Sequence, residues 1–129
     1  MSNKAVINTE KAPAAIGPYS QAVKAGNTVY LSGQIPLNPE TMEIVSDDFE
    51  AQARQVFTNL QAVCEEAAGS LGDIAKLNLY LVDLDNFAIV NKVMEEFFST
   101  PFPARAAVGV KALPKGSQVE AEAVMVIGD

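Results

Sequence analysis

Residues 49–84 read FEAQARQVFTNLQAVCEEAAGSLGDIAKLNLYLVDL, and the apolar periodicity changes once within this stretch. In the first half apolar side chains recur at steps of three and four, which is typical of a helix packed along one side. They are Phe49, Ala53, Val56, Phe57, Leu60, Val63, Cys64 and Ala67. In the second half Leu77, Leu79 and Leu81 alternate with Lys76, Asn78 and Tyr80, which indicates a strand covered on one face. A helix followed by such a strand predicts helices layered on a sheet.

The ends of the first predicted helix are marked by capping residues. Asp47 followed by Glu50 fits a capping box, and Gly69 stands where a C-terminal glycine belongs. The opposite face should be solvated; it carries Gln52, Arg54, Asn59, Gln61 and Glu66.

The remaining elements follow on both sides of this stretch. A second helix is predicted over 86–98, capped by Asp85, with Phe87, Val90, Val93, Met94, Phe97 and Phe98 along one side. Residues 26–45 are predicted to form a hairpin with a turn at 38–42 and a return strand starting at 43–45. The chain closes over 104–127 with two strands joined by a turn at 114–117, which we expect to pair antiparallel.

These elements predict an α+β fold in a single domain over residues 1–129. We expect a mixed sheet of about six strands with two helices packed on one face. The other face would then expose small and apolar side chains, namely Ala106, Val108, Val110, Ala121 and Ala123. A patch of that size is unusual on a monomer, so self-association through this face is predicted.

Composition excludes several classes of function. The 129 residues contain no histidine and one cysteine, so His-dependent triads, zinc sites and intrachain disulfides are not expected. Cys64 lies on the apolar stripe and is predicted to be a core residue. A formal net charge of −7 opposes nucleic-acid binding. With no signal peptide and no run of ~18 apolar residues, we expect a cytoplasmic protein that does not engage a membrane.

Arg105 lies in FPARAAV, residues 102–108, where its charge is out of place among apolar neighbours. Such a guanidinium requires open water or a fixed anion. Glu120 and Glu122 share one face of the last strand, which the predicted hairpin places beside Arg105. Two interpretations follow: an internal Arg–Glu pair, or a substrate carboxylate held bidentately by Arg105 while a nearby acid orients water.

Two glycine-containing turns provide further parts of a small anion pocket. Gly17 and Pro18 precede Tyr19, and Ser32 with Gly33 lies at a strand end. Taken alone, the first is typical of a simple turn and the second of a β-bulge. A rigid aromatic, a backbone amide beside a glycine, an arginine and an acid together favour a pocket for a small anion.

Six segments carry a family resemblance in order and spacing: KAPAAIGPYSQAV, LSGQIPLNP, AQARQ, NFAIVN, FPARAAV and LPKGSQVEAEAV. Over essentially the whole chain they resemble the Rid/YjgF imine deaminase family. The resemblance implies a chorismate-mutase-like fold and a homotrimer whose sheets line a central barrel, with a site in each of three clefts between subunits. It also implies hydrolysis of 2-aminoacrylate/2-iminopropanoate and 2-iminobutanoate to 2-keto acids and ammonia, without cofactor or metal.

The resemblance implies roles by position. They are Arg105 for the substrate carboxylate, Glu120 for the water, Tyr19 as an aromatic wall, Ser32 and Gly33 beside the imine, and Phe87 and Asn91 on the cleft rim. Many bacterial members have Ser-Cys where this chain has Ala106 and Ala107, so the thiol often found in the pocket is missing. If the substrate contact at Ala107 is through the backbone amide, the chemistry survives; if the thiol is essential, the chain is an inactive relative. The connection at 98–102 is short, which is expected to reshape the cleft entrance.

Two alternative functions remain open from the sequence. One is an RNA-cleaving translation inhibitor, an activity for which some family members are named; the negative charge and the lack of histidine weigh against it. The other is a trimer that binds a small ligand at Arg105 without turning it over.

Overall fold

The computed structural model describes residues 4–128, in which two helices pack on one face of a six-stranded mixed sheet. The strands are β1 (Ala5–Ile7), β2 (Ala22–Ala25), β3 (Thr28–Gln34), β4 (Ile74–Leu81), β5 (Ala104–Gly109) and β6 (Val119–Val126), and the helices are α1 (Phe49–Glu66) and α2 (Phe87–Phe97). The order across the sheet is β1-β2-β3-β6-β4-β5, with only β4 and β5 parallel. The predicted α+β fold is confirmed.

The last two strands do not form the predicted hairpin, because β4 lies between them. Leu77 of β4 is opposite Arg105 on one side and Ala123 on the other. A tight hairpin closes in two to five residues, whereas the connection 110–118 must step across two inter-strand spacings, roughly 10 Å. Arg105 is therefore not on a strand adjacent to that of Glu120.

The predicted hairpin at 26–45 is also wrong, because its first strand pairs with a different strand from the one expected. β3 pairs with the preceding strand β2 through a turn at Gly26, whose φ of 63° favours glycine. The proposed return strand is reduced to a single bridge between Leu37 and Ile44. The side chain of Asn38 accepts hydrogen bonds from two backbone amides of the loop that follows, which stabilises a turn instead of a second strand.

Both predicted helix caps are displaced along the chain. Asp48 rather than Asp47 begins α1, because the Asp48 carboxylate accepts a hydrogen bond of 2.9 Å from the backbone amide of Ala51. Asp85 does not cap α2. A short 3-10 turn at 84–86 precedes that helix. The cap of this turn is Asp83, whose side chain accepts a hydrogen bond from the amide of Asp85.

α1 ends in a Schellman motif centred one residue before the predicted glycine. The amide of Gly69 donates to the carbonyl of Cys64 at 2.9 Å, and the amide of Ala68 donates to the carbonyl of Glu65 at 3.0 Å. Ala68 therefore takes the left-handed position, with a φ of 65° that usually selects glycine.

The core lies between the helices and the sheet. All eight residues of the predicted apolar stripe on α1 are buried, as are Leu77, Leu79 and Leu81 of β4. Cys64 is fully buried, and burial raises the pKa of its thiol to about 12, which fits its predicted core role. Neither helix of the described chain is long and apolar enough to cross a membrane.

Two amides that were predicted to be solvated are buried because they bind loops. Gln52 is 2% and Asn59 0% exposed. Asn59 donates to the carbonyls of Ile35 and Leu37 at 3.3 and 3.0 Å, and Gln52 accepts from the amide of Gln118 at 2.9 Å. These bonds fix the 35–48 and 114–118 segments against α1, since a buried amide left without a partner would be costly.

The face of the sheet away from the helices, called the open face below, is less apolar than predicted. Ala121 and Ala123 are 0% and 4% exposed because they lie under the helices. Ala106 and Val108 do lie on the open face, and Val110 lies just beyond β5. The register also places polar groups there: Tyr30, Lys76, Asn78, Tyr80, Glu120 and Glu122.

Candidate functional site

Arg105 projects from the edge strand β5 toward α2, on the helix side of the sheet. Its Nη1 donates a short hydrogen bond to Oδ1 of Asn91 and lies 3.6 Å from the sulfur of Met94. The guanidinium stands over the ring of Phe87, 5.0 Å from its centroid. Phe87 and Asn91, predicted on the rim, therefore both contact Arg105.

The direct partners of Arg105 are all electrically neutral: an amide oxygen, a thioether and an aromatic face. Within residues 4–128 the ion pairs join Arg54 to Glu50 and Glu96, and Lys92 to Glu50, and none includes Arg105. The internal Arg–Glu pair considered from the sequence is thus not formed in the described chain. Arg105 borders a shallow depression of about 430 Å³ that Glu95 also lines, and its charge faces solvent there. We call this region the arginine half-site.

Glu120 lies on the open face, in a second cavity of about 420 Å³. Tyr19, Ser32 and Gly33 line the same cavity, so four of the predicted site residues are brought together. Burial and the neighbouring charge of Glu122 both raise the pKa of the Glu120 carboxyl. We call this region the glutamate half-site.

Gly33 is required by the close approach of Glu120. A Cβ at position 33 would lie 2.9 Å from Cδ of Glu120 and closer still to one of its oxygens. The pairing of β3 with β6 shifts register between Leu31 and Gln34, so an extra residue on β3 forms a bulge there. The predicted bulge and the predicted site are therefore the same feature: the bulge brings backbone against the carboxylate.

Ser32 is held by its neighbours rather than pointing freely into the cavity. Its hydroxyl donates to the carbonyl of Ser20 at 2.6 Å, and its amide donates to the carbonyl of Gln21 at 2.9 Å. Tyr19 follows a tight turn in which its amide donates to the carbonyl of Gly17, and its side chain is 52% exposed. The predicted turn before Tyr19 is therefore formed, and it presents the tyrosine to the cavity.

Gln21 is a positioning residue that the sequence reasoning did not identify. It is 2% exposed, accepts from the amide of Thr9 at 2.7 Å, and donates to the carbonyls of Thr9, Ala12 and Pro13. These bonds tie the 9–13 segment to the wall of the glutamate half-site. The only signal in the sequence was one amide side chain immediately before an apolar strand.

The two half-sites lie on opposite faces of the sheet. Arg105 is opposite Leu77, which faces the helices, whereas Glu120 is opposite Tyr80, which does not. Residues opposite one another on neighbouring strands point to the same face. Ala107 is opposite the buried Leu79 and lines neither cavity. A single chain therefore does not bring Arg105 and Glu120 to one small ligand.

Comparison with known proteins places this geometry in a family. Residues 9–127 match the family described as Endoribonuclease L-PSP. The chain is 50% identical over 127 residues to the 2-iminobutanoate/2-iminopropanoate deaminase of Dermatophagoides farinae, covering 98% of this chain and 99% of that one. The human protein of the same name is 43% identical over 123 residues, and the match covers 95% of this chain and 90% of the human one.

Solved structures agree with these sequence matches. RidA from an Antarctic Psychrobacter superposes with a TM-score of 0.92 at 57% identity, covering 95% of this chain and 99% of that one. Escherichia coli TdcF, solved with bound serine, superposes with a TM-score of 0.90 at 41% identity, and the match covers 96% of this chain and 99% of TdcF. The chain therefore belongs to the Endoribonuclease L-PSP family, which confirms the Rid/YjgF resemblance carried by its motifs.

Proposed function

We propose that this protein hydrolyses reactive 2-imino and 2-enamino acids, such as 2-iminopropanoate and 2-iminobutanoate, to 2-keto acids and ammonia. The observation that carries the proposal is that Arg105, among residues 4–128, contacts only neutral partners directly. A guanidinium oriented by neutral groups keeps its full charge for a ligand, and its planar fork matches a carboxylate. Relatives at 43–50% identity carry the name of this deaminase activity.

The proposed active site is shared between chains of a homotrimer. We place the arginine half-site of one chain against the glutamate half-site of its neighbour, in a cleft between subunits. The separation of Arg105 and Glu120 on opposite faces of the sheet supports this arrangement, because one chain alone cannot hold both ends of a small substrate. The exposed apolar side chains of the open face, Tyr30, Val108 and Val126 among them, would be covered by the assembly.

In the proposed mechanism Arg105 binds the carboxylate and the chain positions the C=N carbon for water. Glu120 takes a proton from the attacking water as the C–O bond forms. The amino group of the carbinolamine, formed from the protonated imine, takes that proton back from Glu120 and leaves as ammonia. The hydroxyl proton passes to the departing ammonia as the carbonyl forms, so the products are the 2-keto acid and ammonium. An iminium carbon is already electrophilic, so orientation and fixed charges suffice to accelerate the reaction. The raised pKa of Glu120 brings it closer to that of a useful base.

The remaining predicted residues have supporting roles in this scheme. Tyr19 packs against the substrate, Ser32 and Gly33 lie beside the imine, and Phe87 with Asn91 orients Arg105. Ala107 lines neither cavity of the single chain, so we place the contact of its backbone amide with the substrate in the assembled cleft, where the missing thiol leaves the chemistry intact. A relative that was solved with bound serine supports a site sized for a small amino-acid-like carboxylate.

The test is the disappearance of an imine generated in situ by an amino acid oxidase or a threonine dehydratase. Wild type should accelerate hydrolysis, and Arg105→Ala should lose at least a hundredfold in kcat/KM, since removing one partner of a charged pair costs about 3 kcal/mol. Arg54→Ala is the matched control, because Arg54 pairs with glutamates on the helix surface. Wild-type activity in Arg105→Ala would contradict the assignment.

A ribonuclease activity is the second candidate, favoured by the description of the family itself. The charge of −7 and the absence of histidine oppose it, and one arginine cannot replace the several phosphate contacts that RNA binding needs. Salt-sensitive cleavage of RNA by wild type, lost in Arg105→Ala, would support it. Binding of 2-keto acids without any turnover would instead support a ligand-binding trimer.

A further inference from the structure

Two strained backbone positions border the glutamate half-site. Among the described residues, three that are not glycine have a positive φ: Met42 at 61°, Ala68 at 65° and Lys115 at 57°. Ala68 is explained by the end of α1, whereas Met42 and Lys115 both line the cavity that contains Glu120. Left-handed backbone is unfavourable for a residue with a Cβ and tends to persist at functional sites.

These two positions are joined to each other. Nζ of Lys115 donates to the carbonyl of Met42 at 3.1 Å, across 73 positions of the chain. Lys115 is exposed and makes no ion pair with any residue between 4 and 128, so the bond connects two loops rather than neutralising a charge. We call the Lys115–Met42 pair the latch.

The latch closes the apolar side of the cavity. Met42, Ile16 and Leu37 form part of that side, and Leu37 is already fixed by the buried Asn59. Met42 sits in the turn started by Asn38, whose carbonyl accepts from the Met42 amide at 2.7 Å. Lys115 is thus the contact that ties the outer part of this turn to the loop that leads directly into β6 and Glu120.

We propose that the latch sets which substrate side chains the site accepts, and this proposal rests on the proposed imine hydrolysis. In this proposal Arg105 holds the carboxylate end of the substrate, and the substrate side chain lies along the apolar wall of the Glu120 cavity, which contains Met42. Lys115 is a positioning residue: it holds that wall in place and thereby favours 2-imino acids with short aliphatic side chains. Opening the latch admits bulkier ones.

The test compares variants that keep the turn but change the contact. Lys115→Asn removes the long donor while tolerating the left-handed backbone, and Lys115→Arg restores both charge and donor. Lys111→Asn is the charge control, because Lys111 is exposed and lies outside the cavity. Each is assayed with the imines of alanine and leucine, generated by an amino acid oxidase.

Lys115→Asn should raise the ratio of kcat/KM for the leucine imine to kcat/KM for the alanine imine about tenfold, which is the discrimination that one methylene group provides. The change should come chiefly from KM. Lys115→Arg and Lys111→Asn should keep the wild-type ratio. Hydrogen exchange of the 36–45 amides should be faster in Lys115→Asn only. An unchanged ratio in an active Lys115→Asn, or an equal loss for both imines that Lys111→Asn reproduces, would overturn the latch and leave imine hydrolysis standing.

Binding of pyruvate and 4-methyl-2-oxopentanoate by calorimetry separates the two proposals. If no variant hydrolyses an imine but Lys115→Asn shifts its affinity toward the larger oxo acid, the reaction is wrong and the latch is supported. If wild type neither hydrolyses imines nor binds either oxo acid, both proposals fall.

Discussion

The arginine and glutamate half-sites are built in different ways. Arg105 and its three contacts come from residues 87–105, one helix and the strand that follows it. The cavity around Glu120 gathers residues from 13 to 120, held by the buried amides of Gln21 and Asn59. The first therefore depends on a local motif and the second on the register of the whole sheet, so substitutions should affect them differently.

Glu120→Gln should give the largest effect within the glutamate half-site. If Glu120 accepts the proton of the attacking water, the substitution lowers kcat by about 10²–10³ with little change in KM. Steady-state kinetics on 2-iminobutanoate measure this. Glu122→Gln is the matched control on the same face of β6, and a larger loss in Glu122→Gln would transfer the role of base to Glu122.

Gly33→Ala tests whether the β-bulge positions Glu120. The added Cβ would meet the Glu120 carboxyl, so the side chain must rotate away and kcat should fall roughly tenfold to a hundredfold. Gly72→Ala is the control, because a Cβ there meets only ordinary contacts at 3.5 Å. Full activity in Gly33→Ala would show that the observed carboxyl position is not needed for the reaction.

Asn91→Ala should have a smaller effect on the arginine half-site. The guanidinium loses one hydrogen bond but keeps its stacking on Phe87, so KM should rise roughly tenfold while kcat changes little. Asn86→Ala provides the comparison, since Asn86 begins the same helix without a capping side-chain bond. A fall in kcat alone, with KM unchanged, would mean that Asn91 acts beyond carboxylate binding.

The local and long-range origins of the two half-sites also explain which features the sequence predicted. The stripe on α1 and the alternation in β4 are local patterns, and both were confirmed. The pairing of β5 with β6 was wrong because strand neighbours are chosen by burial across the sheet, and the leucines of β4 occupy the position between them. The same limit hid the role of Gln52, whose buried amide binds backbone 66 positions along the chain, and that of Gln21, whose bonds to residues 9–13 form only because a loop folds back on β2.

The Glu120 carboxyl should also lower the free energy of unfolding at any pH where it is ionised. Its folded pKa is raised above the unfolded value, so in the pH window between the two the folded state binds more protons and stability falls as pH rises. Above that window the cost is complete, and below the ordinary value of 4.5 it is absent. Glu120→Gln should therefore be more stable than wild type at pH 7 in urea, and no more stable at pH 4. A stability gain that persists at pH 4 would point to packing rather than charge.

Ala68→Gly separates strain that belongs to the fold from strain that belongs to the site. Ala68 adopts its left-handed conformation to complete the end of α1, remote from both half-sites, so glycine relieves the Cβ penalty there. After the extra entropy of the unfolded glycine is counted, the gain should be about 0.5–1 kcal/mol, or roughly 3 °C in Tm. Calorimetry should detect this, and kcat/KM should stay at the wild-type value for both alanine and leucine imines. If Ala68→Gly changed substrate preference as Lys115→Asn is expected to, relief of strain at a remote left-handed residue would be enough to change specificity. The effect of Lys115→Asn could then no longer be assigned to the Lys115–Met42 contact.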